Sequence, residues 1–261
     1  MMRTRPKEST GSGPEAATPA AHGARAATGP VLFELRNYVT RAGRRDELVD
    51  LFERHFLDAY EAAGARVTGT FTHSNDPDRW IWIRAFADNE SRGTALDGFY
   101  TSAAWLARRA AANRTIEDIS DALLLRLRTG SLAAMHAPGH DASRPVSVVE
   151  CLRWFPRPGQ PSGFADPVMA EAIPVLVQSG AEVVAVLESV ALPNAYPRLP
   201  LRQDAAVVVL ARHPDQATYA AHRAARDRSV DWRRAIDRLG PLSGRPPEIW
   251  PLGPTARSAL R

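Results

Sequence analysis

The chain contains two similar segments, and this internal repeat limits the folds open to it more than any other feature. Residues 150–159 align with residues 34–43: both begin with Glu, carry an aromatic residue at the fifth place and an Arg at the eighth, and end in Gly. Residues 180–183 (GAEV) align with residues 64–67 (GARV) at the same offset. A repeat of this length predicts that one supersecondary unit occurs twice.

The first copy shows what that unit is. Residues 33–38 alternate in the period of two that a β-strand requires, and Gly43 breaks the strand. From Arg44 the apolar residues are spaced three and four apart until Gly64, as in an amphipathic helix. Two strands follow at 65–73 and 80–86, then a helical stretch from Asp88 and a fourth strand at 122–127. The order β-α-β-β-α-β predicts a ferredoxin-like unit.

The predicted fold class is therefore α+β, with two tandem ferredoxin-like halves whose sheets pack into an α+β barrel. In the second half Pro167 and Pro174 interrupt the first helix, and the proline-containing residues 194–201 form an inserted loop. The predicted domains are a disordered Ala/Gly/Pro-rich tail (1–30), a first half (31–129), a linker (130–145), a second, divergent half (146–254) and a C-terminal tail (255–261).

The E-L-R-x-Y pattern at residues 34–38, followed by Gly43 and a long helix, resembles the opening of the NIPSNAP family. The resemblance covers residues 32–127 and is weak in the second half, where Leu152 replaces Arg36. It implies a fold of the dimeric α+β barrel superfamily, in which ligand pockets often lie between the sheet and its helices. Any site carried by the motif is expected in the first half.

Composition excludes several classes of protein. No apolar run approaches the roughly 20 residues needed to cross a bilayer, and the first 30 residues lack the apolar centre of a signal peptide. With a single cysteine, Cys151, the chain is expected to be cytoplasmic, with no membrane partner. The net charge of +4 comes from scattered arginines without aromatic interleaving, so no nucleic-acid partner is expected.

The sequence has no Gly-rich phosphate loop, no G-x-S-x-G elbow and no H-E-x-x-H helix. Lys7, the only lysine, lies in the predicted tail, which argues against Schiff-base catalysis. His136 and His140 are separated by Pro138 and Gly139 and cannot share a helix face. We therefore expect neither a metal site nor a tightly bound cofactor.

One face of the predicted first-half sheet is polar and aromatic, and we expect it to point into the barrel. Glu34, Arg36 and Tyr38 lie on it with Trp82 and Arg84. One interpretation is ion pairs and aromatic filling between the half-barrels. The other is a cavity for a planar ligand, in which Arg36 holds an anionic group. The predicted substrate-binding residues are Arg36, Tyr38, Trp82, Tyr100 and Trp105.

The opposite sheet face carries Asn37 and His73, at the same end of two parallel strands, and His55 lies on the apolar face of the first helix. We predict that the three side chains converge as a catalytic group with His55 as general acid or base, because imidazole titrates near neutrality. The alternative is that His55 is a hydrogen-bonded core residue.

The resemblance implies a bacterial enzyme of specialised metabolism that acts without a tightly bound cofactor. The expected substrate is an aromatic or polyketide-like intermediate, and the expected reaction is cyclisation, isomerisation or oxygenation by general acid/base catalysis. The alternative is a non-catalytic barrel that binds a small molecule or a protein. Haem held by a histidine is a third alternative, and a homodimer is left open.

Overall fold

A computed structural model describes residues 32–132, 147–158 and 163–261. Both halves have the predicted β-α-β-β-α-β order. The first half consists of β1 (Leu32–Thr40), α1 (Arg45–Leu51), a π-helical turn (Phe52–Phe56), α2 (Leu57–Ala62), β2 (Arg66–His73), β3 (Arg79–Phe86), α3 (Asn89–Thr101), α4 (Ala103–Thr115) and β4 (Ile116–Gly130). The second consists of β5 (Val148–Trp154), α5 (Ala165–Glu171), α6 (Ile173–Gln178), β6 (Glu182–Ser189), β7 (Val207–His213), α7 (Gln216–Arg228), α8 (Val230–Leu239) and β8 (Glu248–Pro254).

The eight strands form one closed antiparallel barrel in the order β1-β3-β2-β8-β5-β7-β6-β4. The halves join at two seams. In one, β2 pairs with β8 from Phe71 to His73, and in the other, β4 pairs with β6 from Leu125 to Gly130. This confirms the predicted α+β barrel built from tandem halves.

The two faces of the first-half sheet are the reverse of those predicted. The barrel interior is filled by the aliphatic and phenyl side chains of both halves, including Leu35, Phe71 and Ile83. Tyr38 and Trp82 instead pack against the first-half helices. The interior of an eight-stranded barrel is just wide enough for its own side chains, so the compact apolar face fits there, and the bulky polar and aromatic face lies under the helices.

Local sequence explains where the long helices break. In the second half α5 ends at Glu171, and Pro174 lies in the first turn of α6, where a missing N–H costs no hydrogen bond. The predicted interruption therefore lies at Pro174, whereas Pro167 lies in the first turn of α5 and does not interrupt it. The first-half helix is continuous from Arg45 to Ala62 but contains the π-helical turn, which the apolar spacing did not predict.

The C-terminal residues form part of the barrel wall rather than a tail. Thr255 N–H donates to the Thr70 carbonyl at 2.9 Å, and Leu260 N–H donates to the Thr68 carbonyl at 3.0 Å. The Leu260 side chain is fully buried in the interior cluster. This part of the domain prediction needs correction, because the segment pairs with backbone that the short β2–β8 seam leaves free.

The predicted N-terminal tail and nearly all of the predicted linker lie outside the described residues. Among the helices that the structure describes, none is both long and apolar enough to cross a bilayer.

Candidate functional site

A cavity of about 330 Å³ lies between the first-half sheet and its helices. Its floor is the helix-facing side of β1 and β3, and its walls come from α1 to α4. Residues 190–206, which connect β6 to β7, reach across from the second half and supply Tyr196, Arg198 and Leu199. This is the loop predicted from its prolines. The pocket is therefore complete only when both halves are present.

More than half of the lining residues are aromatic. Trp80 and Trp82 stack in parallel with their ring centroids 5.5 Å apart, and Tyr196 stacks on Tyr100 at the same separation. The other aromatic lining residues are Tyr38, Phe52, Phe56, Tyr60, Phe99 and Trp105. Such walls offer flat π surfaces to a planar guest.

A buried ion cluster lies beside the aromatic floor. The Glu34 carboxylate accepts from Arg36 at 2.5 Å, from Arg84 at 2.7 Å and from Arg92 at 2.6 Å. All four side chains are fully buried. Burial raises the pKa of Glu34, but the guanidiniums of Arg84, Arg36 and Arg92 outweigh it, so the pKa lies well below its usual range. The cluster therefore carries one negative and three positive charges.

The cluster is in contact with the pocket walls. The Arg84 guanidinium lies 4.8 Å from the Trp82 ring centroid and 5.3 Å from that of Tyr60, and Arg36 lies 5.3 Å from that of Tyr38. Within the described residues, Arg36 Nε, Arg84 Nε and Nη1 and the indole nitrogens of Trp80 and Trp82 have no hydrogen-bond partner. Buried donors without a partner are costly, so the site has unused capacity for an acceptor.

Arg92 also holds the covering loop. Its Nη1 donates to Asn194 Oδ1 at 3.0 Å, and that oxygen also accepts from Tyr196 N–H at 3.1 Å. Asn194 Nδ2 in turn donates to the Leu199 carbonyl at 2.8 Å. The buried charge cluster and the loop that covers the pocket are thus joined by direct hydrogen bonds.

Two tyrosine hydroxyls meet in the pocket. Tyr60 Oη and Tyr100 Oη are 3.2 Å apart. Burial, together with Tyr38, raises the pKa of Tyr100 to about 12, and burial and Tyr100 raise that of Tyr60. Both groups are therefore protonated at neutral pH and act as hydrogen-bond donors rather than as bases.

The structure brings the predicted substrate-binding residues together. Tyr38, Trp82, Tyr100 and Trp105 all line the pocket. Arg36 lies against Tyr38 in the charge cluster and donates to the Ile119 carbonyl at 3.0 Å. The prediction that Arg36, Tyr38 and Trp82 point into the barrel is wrong, as described above.

The predicted catalytic group is not brought together. His55 is half-buried in the π-helical turn, on the helix side of the sheet. Asn37 and His73 share the strand parity of Leu35 and Phe71, which face the barrel interior. A sheet therefore separates His55 from the other two, and none of the three lines the pocket.

Asn37 and His73 have other partners at one end of the barrel. Asn37 Nδ2 donates to Asp121 Oδ2 at 3.0 Å, and Asp121 accepts both Nη groups of Arg153 at 2.9 Å. His73 Nδ1 accepts from the Asn75 N–H at 3.1 Å, and burial lowers its pKa. The ion pair of Asp121 with Arg153, to which Asn37 is hydrogen-bonded, thus closes this end of the barrel.

Sequence reasoning missed several pocket residues. Tyr60 lies on the helix after the π-helical turn, which shifts the apolar face by one residue. Arg109 lies on α4, and Tyr196 and Arg198 come from the other half. Of the three arginines around Glu34, the sequence analysis placed Arg36 and Arg84 on the same sheet face and missed only Arg92, which comes from α3.

No family model matches the sequence, and no curated protein matches it. Solved structures do match over most of the chain. A candidate monooxygenase from Fusobacterium nucleatum aligns with a TM-score of 0.55 and 8% identity, covering 86% of this chain and 92% of that one. An anthrone oxidase-like protein aligns with a TM-score of 0.55 and 15% identity over 87% of this chain and 92% of that one. A candidate chlorite dismutase, TA0507, aligns with a TM-score of 0.51 and 10% identity over 89% of this chain and 98% of that one.

NIPSNAP structures align only in part. One from Burkholderia xenovorans covers 36% of this chain, with 20% identity and a TM-score of 0.33. A score that low carries no argument, so the NIPSNAP resemblance of residues 32–127 rests on the sequence motif alone. Taken with the closed eight-stranded topology, the full-length matches show that the chain shares the tandem α+β barrel fold of these proteins.

Proposed function

We propose that the first-half pocket binds a planar aromatic substrate in an anionic form, and that the protein oxygenates it without a resident cofactor. The observation that carries this proposal is the excess of buried positive charge beside an aromatic cavity: three guanidiniums share one carboxylate, and all are fully buried. Burying charge without a counter-charge is costly. A phenolate or enolate in the pocket would offset that cost.

The electrostatics favour ionisation of a substrate over ionisation of the protein. Tyr60 and Tyr100 have raised pKa values and stay neutral, whereas a bound phenol or carbon acid would lie beside fixed cations. Preorganised cations and N–H donors in a water-poor site stabilise developing negative charge strongly. The indole N–H groups of Trp80 and Trp82, which have no partner among the described residues, are suited to an anionic oxygen, and the Arg84 guanidinium lies behind them against the Trp82 ring.

An ionised aromatic substrate can react with dioxygen directly. In the oxidation of an anthrone-like ring, the methylene carbon loses two hydrogens and gains one oxygen atom as a ketone, while the second oxygen atom leaves as water. The substrate is the reductant and dioxygen the oxidant, so no further redox partner is needed. The likeness in fold to an anthrone oxidase-like protein and to a candidate monooxygenase supports oxygenation over cyclisation or isomerisation.

Haem does not fit this pocket. Some barrel relatives are expected to hold haem through a histidine, but the lining residues include none.

A specific observation also favours the second candidate, a barrel that binds a small molecule without turning it over. The pocket lining includes no histidine, aspartate, glutamate or lysine. A binding protein needs no general base, whereas oxygenation requires the proton of the substrate to leave, to water or to buffer.

Anthrone is a suitable first probe. We expect quenching of tryptophan fluorescence on binding, and oxygen uptake matched by anthraquinone formation. Arg198→Gln, on the exposed loop, should raise KM because it removes a positive charge at the pocket mouth. Tyr38→Phe should change kcat or KM with little effect on folding. Binding without turnover would support the second candidate.

His55→Gln is the matched control, because His55 lies on the same helical layer but outside the pocket. We expect its turnover to stay within a few-fold of the parent chain. If His55→Gln abolished turnover while both pocket variants kept the parent kinetics, the site would lie elsewhere and the proposal would fall.

A further inference from the structure

A second buried polar cluster lies in the other half of the molecule, between its sheet and α7. It consists of Glu150 on β5, His213 at the end of β7 and His222 in α7. One ligand atom from each lies within 4.8 Å of the other two. The three residues are at most 1% exposed.

Comparison of the halves shows how this cluster differs from that around Glu34. Glu150 aligns with Glu34 in the repeat, but it pairs across the sheet with Ala211, where Glu34 pairs with Arg84. Leu152 stands where Arg36 stood. Two of the three guanidiniums are thus absent, and Glu150 is instead in contact with His222 and Arg226. The second half has replaced arginine by imidazole around the same carboxylate.

The contacts of His222 leave one nitrogen unassigned. Its Nδ1 lies 3.2 Å from the Ser179 carbonyl oxygen, to which it can donate. Its Nε2 lies 3.1 Å from Glu150 Oε2, which accepts. That second contact is made either by a proton on Nε2 or by a cation between the two atoms.

The surroundings of His213 distinguish between a proton and a cation at this position. Its ring lies 4.6 Å from that of His222, and neither of its nitrogens has a hydrogen-bond partner among the described residues. One of its ring nitrogens lies within 4.8 Å of the ligand atoms of the other two residues, so a buried nitrogen without a partner among the described residues faces the cluster. A proton shared by His222 and Glu150 leaves His213 unexplained, whereas a cation uses all three groups.

We propose that Glu150 Oε2, His222 Nε2 and a ring nitrogen of His213 bind a divalent first-row transition cation such as Zn²⁺. Two imidazoles and a carboxylate suit such an ion. Bond lengths of about 2.0–2.1 Å to two ligands 3.1 Å apart give an angle near 100° at the metal. The Nδ1–H contact of His222 to a carbonyl is the usual support of a ligating histidine.

Arg226 fits this site without blocking it. It is bonded to Glu150 Oε1 and leaves Oε2 for the cation, and its own charge is shared with Asp227 at 3.0 Å. Because every ligand is buried, the cation would link β5, β7 and α7 and raise the free energy of unfolding. None of its ligands lines the first-half pocket.

The test is to strip the full chain with a chelator and titrate it with ZnCl₂ by calorimetry, with CoCl₂ absorption as a second readout. We expect one site per chain and visible d–d bands of a low-symmetry cobalt site. At free zinc about 100 times the Kd, the melting temperature should rise by about 5–10 °C. His213→Gln and His222→Gln should each weaken zinc binding by at least about tenfold.

A double variant, His136→Gln with His140→Gln, is the matched control, because it removes the other closely spaced histidine pair and should leave binding intact. Three outcomes would overturn the proposal: no zinc binding to the stripped chain, binding lost only in the control, or binding unchanged in both ligand variants. The last two would mark an adventitious ion only. If His213→Gln alone fails to fold, the cobalt spectrum of His222→Gln decides.

Discussion

Glu34 and Glu150 occupy the same place in the two halves, yet their surroundings have diverged. Around Glu34 three arginines compete for two carboxylate oxygens, so N–H groups of Arg36, Arg84 and Arg92 remain without partners in the described structure. A core selected only for stability would avoid this, since replacing buried ion pairs by apolar side chains is often neutral or stabilising. This excess of positive charge is the observation on which the proposed anionic ligand rests.

At the end of the barrel, Asp121 makes a testable contribution to acid stability. Burial raises its pKa, but the hydrogen bonds and charge of Arg153 outweigh this and lower it from 3.8 to about 2. Because the folded pKa lies below the unfolded one, the stabilisation is complete above about pH 4 and is lost as the pH falls toward 2. Asp121→Asn should therefore lower the free energy of unfolding by about 2 kcal/mol at pH 7. The loss should be larger if the substitution leaves the buried Arg153 without a partner.

Urea unfolding of both chains at pH 7, 4 and 2.5 measures this contribution, because other carboxylates cancel in the difference. We expect the difference in free energy of unfolding between the parent chain and Asp121→Asn to decrease only below pH 4. A gap that stays constant to pH 2.5 would contradict the assigned pKa.

At the scale of elements, periodicity and turn residues were enough to predict the order of strands and helices in both halves. Alternation showed which residues share a sheet face, but it could not show which face lies inside, because a strand in a closed barrel is buried on both sides: all residues of β5 are buried. The π-helical turn was also beyond reach, since its inserted residue changes the register of Tyr60 without changing composition. The wrong choice of inner sheet face and the missed π-helical turn both contributed to the wrong placement of the predicted site.

The C-terminal segment offers a prediction at this scale. Glu53, in the π-helical turn, accepts from Thr255 Oγ1 at 2.6 Å and from Arg257 N–H at 2.8 Å, so the segment connects the helix to β2. Leu260 fills the barrel interior. Leu260→Ala should lower the free energy of unfolding by about 2–4 kcal/mol, measured by urea denaturation.

The matched control is Leu106→Ala, at a leucine that is 49% exposed, for which we expect a change within about 0.5 kcal/mol. Equal effects at the two leucines would mean that the C-terminal segment does not pack as described.

At the scale of the whole molecule, the two halves depend on each other for the barrel and for the pocket. Each half contributes one face of the interior cluster, and the loop that bears Tyr196 and Arg198 crosses from the second half to cover the first. The pocket could not be deduced from the first half alone, because the covering residues are far away in sequence and carry no motif. The sequence predicted the inserted loop, but it did not predict that this loop covers the first-half pocket.

This dependence predicts that residues 32–132 expressed alone will not give a stable monomer. Without the second half, β2 loses its pairing to β8, β4 loses its pairing to β6, and the apolar face with Phe71 and Leu125 is exposed. Free strand edges beside an apolar face associate, so light scattering after gel filtration should find a homodimer or larger aggregates. Co-expression with residues 147–261 should restore a one-to-one complex, and only that complex should quench its tryptophan fluorescence with anthrone, because Tyr196 and Arg198 are then in place. A soluble monomer of the first half that binds anthrone as tightly as the full chain would contradict both the shared barrel and the shared pocket.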